Sequence, residues 1–544
     1  MNAVAVSLTR TNEPALPLSD RLSISRVAVI ASAVMVVMVI AFGLRASRLA
    51  TYGFSEDEIN KVRAVEQYHH GQVWANGEHP MLMKLAMLAS VEAAKVWNRF
   101  ATVESAIPKE TAIRLPNALV GAATAAALFG VCNVLFGTPV ALMAALLWAF
   151  DVNAIAINRI GKEDTFALFF FLSAVCCYER AKQQGATDLA RAQRWYAAGG
   201  AAFGLMLASK YFPQYLGLYA LFNTLTDRAP GKNRPDPLRY YGAMVIAFSI
   251  ANVAILDPAT WRYCVNYVGG GTLVHHGYQY AGRLYVNTGI FSPDGVPSTF
   301  YLRMLATKVP LVVLGAIVPG ALEMLRRRRE RGFALLAMCL GLLLVGYSLP
   351  AVKFMRYALP LFAFIDILAA IGVVAGINWL LRKRWLAPTT KLIVAALAFT
   401  VCIAGPFLAQ QVAAPFPSLF RNAIGERLAP AGATFPEEAY DYGVREATRA
   451  IAAVAAPGDV IISDSPAVVA YYLEESARPD LGVRSLSAEG LPSANGNAFV
   501  IVQPEHLTFE NRETAIHLQR DFQPWRQFYA DDALTAQVFL VPRR

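Results

Sequence analysis

About eleven stretches of roughly 20 mostly apolar residues recur along this chain, and a helix of that length matches the hydrocarbon thickness of a bilayer. They fall at 27–46, 114–136, 139–157, 164–180, 196–211, 213–225, 240–256, 301–325, 332–350, 357–381 and 391–409. A chain of 544 residues that is 56% hydrophobic and only 16% charged is too apolar for a soluble protein of that size. The expected architecture is a polytopic α-helical membrane protein. No internal repeat is visible.

The formal charge of +10 is carried by clusters between the apolar runs, which is the pattern of positive loops on the cytoplasmic side and not a nucleic-acid footprint. Residues 1–26, with Arg10, Arg21 and Arg26, read as a cytoplasmic tail before an uncleaved first span. Residues 80–97 decide the topology. Crossing the membrane there would put RRRRER at 326–331 outside, whereas a surface-lying segment leaves the clusters at 180–194, 228–239, 326–331 and 382–384 all on the cytoplasmic side. Lys84, Glu92 and Lys95 also suit an interfacial helix. The transmembrane domain then covers 27–409, and its loops at 47–113, 158–163, 257–300 and 350–356 open on the extracytoplasmic face. Of six cysteines, five lie in apolar runs and Cys264 stands alone in a loop, so neither a disulfide framework nor a zinc site is indicated.

The chemistry-bearing residues gather in those loops. The first, FSEDEINKVRAVEQYHHGQVWANGEHPMLMK from Phe54 to Lys84, holds Asp57 and Glu58 and ends in Glu78, His79, Pro80 and Lys84. Taking a proton from a hydroxyl needs a carboxylate, and holding a departing phosphate needs cations. An acid at the end of a span is partly desolvated, which is expected to raise the Asp57 pKa and improve it as a base; the same EDE run also suits a helix start. Asp164 in NRIGKEDTFALFF stands beside Arg159, Lys162 and Glu163, again at a helix start. Arg114 in AIRLPNAL and Lys210 in ASKYF lie where spans meet the surface, as interfacial anchors also do. Lys353, Arg356 and Tyr357 crowd into the short turn AVKFMRYALPLF, a costly arrangement against lipid without a partner. In GGGTLVHHGYQYAGR, His275 and His276 lack the spacing of a metal site; the expectation is a flexible loop closing over substrate, with Arg283 near phosphate.

The Asp-Glu pair of the first outer loop, the His-Pro step, the downstream Lys84 and the K-x-x-R-Y-x-L-P run at 353–360 resemble the polyprenyl-phosphate-sugar glycosyltransferases of GT-C fold, which include the protein O-mannosyltransferases and the lipid A aminoarabinose transferases. The resemblance covers about residues 27–409. It implies a GT-C membrane domain of about eleven transmembrane helices, with Asp57 as base, Glu58 beside it, and Asp164 orienting the sugar or acceptor. It further implies that Glu78 meets the sugar, that His79 and Lys84 form a basic step, that Arg114, Arg159 and Lys210 line the substrate, and that Lys353, Arg356 and Tyr357 lie near the lipid phosphate. A divalent cation, Mg or Mn, shared by Asp57 and Asp164 stays open. HPM replaces the HPP of the mannosyltransferases, so no single branch is assigned. The absence of a WWD motif argues against an oligosaccharyltransferase.

From residue 410 to 544 the composition becomes that of a soluble segment. GDVIISDS, AFVIVQP and AQVFLVP read as strands, and Tyr440 to Ala455 as a helix, giving a small extracytoplasmic α/β domain that caps the membrane part or binds acceptor. The expected function is transfer of one sugar, with inversion, from a polyprenyl-phosphate donor to a protein Ser/Thr or glycolipid hydroxyl at the outer face of a bacterial inner membrane. No Gly-rich nucleotide loop occurs. A flippase for a lipid-linked sugar would carry charges at mid-membrane, and a non-enzymatic sensor or assembly protein would depend on its C-terminal domain.

Overall fold

The computed structural model describes residues 18–185, 187–211, 214–226, 234–269, 277–288, 290–383, 387–428, 435–436, 438–486 and 496–542. Helices stand at each of the eleven expected stretches. At the centre is Leu359–Leu381, apolar almost all round with Asp366 its one charged residue, and its first fifteen residues from Leu359 to Val373 are all buried. A helix without a polar stripe has no face to give to solvent, so it becomes the axis around which the others pack. Leu311–Arg326 crosses it closely. Beta carbons at Gly320 and Gly372 would run into the carbonyl oxygens of Leu368 and Ala316, so these two glycines set the approach of the backbones.

Among the described residues, five helices are long and apolar enough to cross a membrane, and seven if each of two bent pairs counts as one span. The other expected spans are helices that are shorter or carry more charge: Asp164–Gln184, Leu189–Leu207, Gln214–Thr226 and Pro237–Ala251. Two expectations of a continuous span are corrected. The stretch 139–157 bends by 62° between Thr138–Phe150 and Val152–Asn158, where Asp151 leaves helical geometry and its Oδ1 accepts from Asn153 N and Ala154 N to start a new helix. The stretch 301–325 bends by 117° between Phe300–Lys308 and Leu311–Arg326. There Val309 is extended, as a residue before proline prefers, and Pro310 has no N–H to continue the ladder.

The segment at 80–97 forms the helix Leu82–Asn98, with Met83, Lys84, Met87, Val91 and Ala94 buried against the protein and Trp97 exposed at its end. The helix Asp164–Gln184 fixes two ends of the bundle about 30 Å apart. At one end is Asp164. At the other, Glu179 receives Arg331 Nε and Nη2 at 2.7 Å, and Gln193 holds the main chain of Arg234 and Asp236, so the basic residues of 180–194, 234–239 and 326–331 share the end away from Asp164.

The chain past the helix Pro388–Ala413 forms the α/β unit. Two short strands, β1 (Tyr278–Tyr280) and β2 (Arg283–Tyr285), make a hairpin earlier in the chain. The C-terminal strands are β3 (Val460–Ser463), β4 (Gly482–Ser485), β5 (Ala498–Val502), β6 (Arg526–Ala530) and β7 (Ala533–Val541), in the order β4-β3-β5-β7-β6. The first three are parallel, and β7 and β6 join antiparallel. The helix expected from Tyr440 begins later, at Val444, because Gly443 ahead of it adopts a left-handed φ of 87°.

Candidate active site

The candidate site is built around a buried carboxylate, Glu58. Ser55 and Glu58 form a reciprocal cap on the helix Glu56–Tyr68: Ser55 N donates to Glu58 Oε2 at 3.0 Å, and Glu58 N donates to Ser55 Oγ at 3.4 Å. The same carboxylate accepts Arg114 Nε at 2.8 Å and Nη2 at 2.7 Å, and Gly161 N at 2.9 Å. The remaining Arg114 donors hold the carbonyls of Leu49, Tyr52 and Gly53 at 2.6 to 3.0 Å. Glu58 and Arg114 therefore weld the first loop to the helix Lys109–Leu135 and the 159–163 turn. They position the site and do not face into it.

One residue earlier on the helix, about 100° round its axis, Asp57 points elsewhere. Its Oδ2 is bound by Lys162 Nζ and lies 3.5 Å from Arg356 Nη1. One turn on, Lys61 Nζ meets Glu163 Oε1 at 3.3 Å, and His79 Nδ1 is 3.5 Å from the same oxygen. Lys210 Nζ donates to Asp164 Oδ1 at 2.8 Å and lies 5.2 Å from the Tyr357 ring centre, with the Arg356 guanidinium also 5.2 Å from that ring. Thus the first loop, the 159–164 turn, the end of Leu189–Leu207 and the late turn converge. Four cations, Lys61, Lys162, Lys210 and Arg356, face three carboxylates, Asp57, Glu163 and Asp164, so the cluster keeps room for one further negative charge. The Asp57 side chain is 43% exposed and that of Asp164 only 3%, so Asp57 is the acid a substrate can reach.

Electrostatics correct the expected behaviour of Asp57. Burial pushes its pKa up, but Lys162, Arg356 and Lys61 outweigh burial and hold it well below the usual carboxylate range. Glu163 behaves alike: burial is overcome by His79, Lys61 and Lys162. The cost falls on the cations. Burial and the neighbouring Arg356 lower Lys162 to about 8 against the pull of Asp57, and burial with the surrounding lysines lowers His79 to about 3, leaving the imidazole neutral at neutral pH.

Several expected ligands lie elsewhere. Lys84 Nζ is buried and donates to the carbonyls of Asn76 at 2.6 Å and His79 at 2.9 Å, tying together the turn that presents His79; burial lowers it to about 7. Glu78 accepts from Asn76 Nδ2 at 2.5 Å in the same turn. Lys353 Nζ donates to the carbonyls of Val296, at 2.7 Å, and Pro350, and burial lowers it to about 8. Arg159 is buried and holds Arg48 O at 3.0 Å. Arg283 is exposed on β2, 5.7 Å from the Tyr285 ring centre. His275 and His276 lie outside the described residues. The two acids expected to share a divalent cation each hold a lysine instead, and among the described residues no three His, Cys, Asp or Glu side chains group as metal ligands.

Sequence reasoning passed over Lys61 and read Lys162 and Glu163 only as surroundings of Asp164. The signal for Lys61 was its spacing of four from Asp57, which places both on one helical face; nothing local pointed Lys162 at Asp57.

Residues 101–256 match the family described as dolichyl-phosphate-mannose-protein mannosyltransferase. Among solved structures, ArnT from Cupriavidus metallidurans bound to undecaprenyl phosphate is similar with a TM-score of 0.54 at 13% identity, over 95% of this chain and 98% of ArnT. Its apo form gives 0.54 at 14% identity with the same coverage. The archaeal oligosaccharyltransferase AglB from Archaeoglobus fulgidus, in complex with an inhibitory peptide and a dolichol-phosphate, is similar with a TM-score of 0.50 at 11% identity, over 87% of this chain and 69% of AglB. No curated protein matches the chain by sequence. The fold is that of the GT-C membrane enzymes. Beside that fold stand the matched mannosyltransferase-family segment at 101–256 and, among the described residues, helices long and apolar enough to cross a membrane.

Proposed function

We propose that this protein transfers a single sugar from a polyprenyl-phosphate donor to an acceptor hydroxyl, on protein Ser/Thr or on a glycolipid, at the extracytoplasmic face of a bacterial inner membrane. The observation that carries the reading is the meeting of Asp57 with Lys162 and Arg356: a reachable carboxylate and two cations, drawn from three distant parts of the chain, in one cluster. That ArnT was solved with undecaprenyl phosphate, and AglB with a dolichol-phosphate, supports a lipid-phosphate donor. The basic clusters at the end of the bundle opposite Asp164 support an outward-facing site.

In this reading the acceptor oxygen bonds to the anomeric carbon while the bond from that carbon to the phosphate oxygen breaks. The electron pair leaves with the lipid phosphate, whose charge meets Arg356, Lys162 and Lys210. The hydroxyl proton passes to the free oxygen of Asp57. A carboxylate held ionised by two cations is a weak base, so it takes the proton late, once bond formation has made the attacking oxygen acidic. Attack opposite the phosphate inverts the anomeric centre.

The test is purified protein with a panel of polyprenyl-phosphate sugars, offered a Ser/Thr peptide or a glycolipid and assayed for acceptor-dependent release of lipid phosphate. Failure of every donor to be consumed with either acceptor would sink the reading.

A further inference from the structure

The segment 439–442 of the C-terminal unit is pinned against the start of the helix that bears Asp57. Asp441 Oδ2 accepts from Glu56 N at 2.6 Å, one residue before Asp57, and Asp441 Oδ1 is held by Ser465 Oγ at 2.5 Å and Gln503 Nε2 at 3.2 Å. The Tyr442 hydroxyl shares a hydrogen bond of 2.9 Å with Ser418 Oγ. Between these anchors stands Tyr440, with a left-handed φ of 37°, a conformation an aromatic residue adopts only under constraint and a glycine would adopt freely. Its ring packs in the cluster of Tyr52, Ile160 and Tyr442, two residues from Lys162, and is 7% exposed. Its hydroxyl is buried without a hydrogen-bond partner. Arg356, Asp57 and Asp164 all lie near enough for their charges to act on that hydroxyl.

A buried hydroxyl left unpaired costs free energy that a bound group recovers. Burial raises the phenol, so it stays a neutral donor at any working pH. A neutral O–H within the field of a guanidinium can donate to an anionic oxygen that the same guanidinium attracts. We propose that the Tyr440 hydroxyl is a ligand for the phosphate of the substrate, supplied to the site by the C-terminal domain. The assignment rests on the glycosyltransfer reading above and gives that domain a part in donor binding.

The experiment compares wild type, Tyr440→Phe and Tyr442→Phe, titrated with a polyprenyl phosphate and separately with inorganic phosphate, with thermal midpoints and the KM for donor and acceptor. Tyr440→Phe is expected to weaken phosphate binding and raise the donor KM about tenfold, with acceptor KM and thermal midpoint unchanged. Tyr442→Phe, which loses a structural bond, is expected to lower the midpoint without changing donor affinity. If Tyr440→Phe binds phosphate as wild type does, whatever its midpoint, the assignment is overturned. Binding of inorganic phosphate but not the lipid, still weakened by Tyr440→Phe, would remove the lipid donor and leave the assignment standing. Binding of neither would end both.

Discussion

At the scale of single residues the decisive contrast is between Asp57 and Glu58, neighbours in sequence with unlike environments. Glu58 is closed off by Arg114, Gly161 N and Ser55 N, whereas the Asp57 side chain is partly exposed. Asp57→Asn is expected to lower kcat by about 10²- to 10⁴-fold, as loss of a general base does. It should also tighten binding of a polyprenyl phosphate, because Lys162 and Arg356 are released from the carboxylate; weaker binding in a titration would contradict the charge arrangement. Glu58→Gln should act on the fold instead, leaving the Arg114 charge buried and uncompensated at a cost of about 3 kcal/mol, read as a lower thermal midpoint. The pH dependence follows from Lys162. Its protonated form binds phosphate, and with a pKa of about 8 that form is lost as pH rises through 8, so donor affinity should fall between pH 7 and 9. Asp57, held below the usual carboxylate range, stays ionised throughout, and no change in donor affinity over that window belongs to it. Because both acids hold lysines, EDTA should leave the transfer rate unchanged.

At the scale of elements, the apolar runs were legible because burial in lipid or in a bundle demands unbroken hydrophobicity, and each expected run is helical, two of them as bent pairs. The breaks at Asp151 and Pro310 were not, since hydropathy records how apolar a stretch is and not which way it points. Asp57, Asp164, Lys210, Arg356 and Tyr357 were readable as charged or aromatic residues at helix ends, where desolvation makes an ion informative. Lys84, Lys353 and Arg159 carry the same signal, yet their cations hold main-chain carbonyls, a use that depends on how the loops fold. Lys162 and Tyr440 were hidden because their importance lies in contacts with the first loop, remote in the chain. One element-scale prediction concerns the crossing of Leu311–Arg326 and Leu359–Leu381. Gly372→Leu forces these backbones apart and should cost about 1–3 kcal/mol or more, seen as a lower thermal midpoint, whereas the same change at Gly376, which has open space, should cost little.

At the scale of the whole molecule, the C-terminal unit is fastened at several separated points. Arg445 holds the carbonyls of Ala50 and Thr51 at 3.0 and 2.8 Å and pairs with Glu110 at 3.1 Å. The Tyr472 hydroxyl accepts from Phe54 N at 2.7 Å and donates to Glu110 at 3.2 Å. Elsewhere Glu438 pairs with Lys308, on the helix folded over at Pro310, and with Arg421 at 3.3 Å. Arg445→Ala should raise amide hydrogen exchange in the first loop and in the α/β unit together; a rise confined to one would contradict a shared anchorage. A door bolted on both jambs does not swing. On the proposed glycosyltransfer, such anchorage predicts that the C-terminal unit keeps its place during turnover, so that a spent isoprenoid carrier departs sideways among the surrounding lipids.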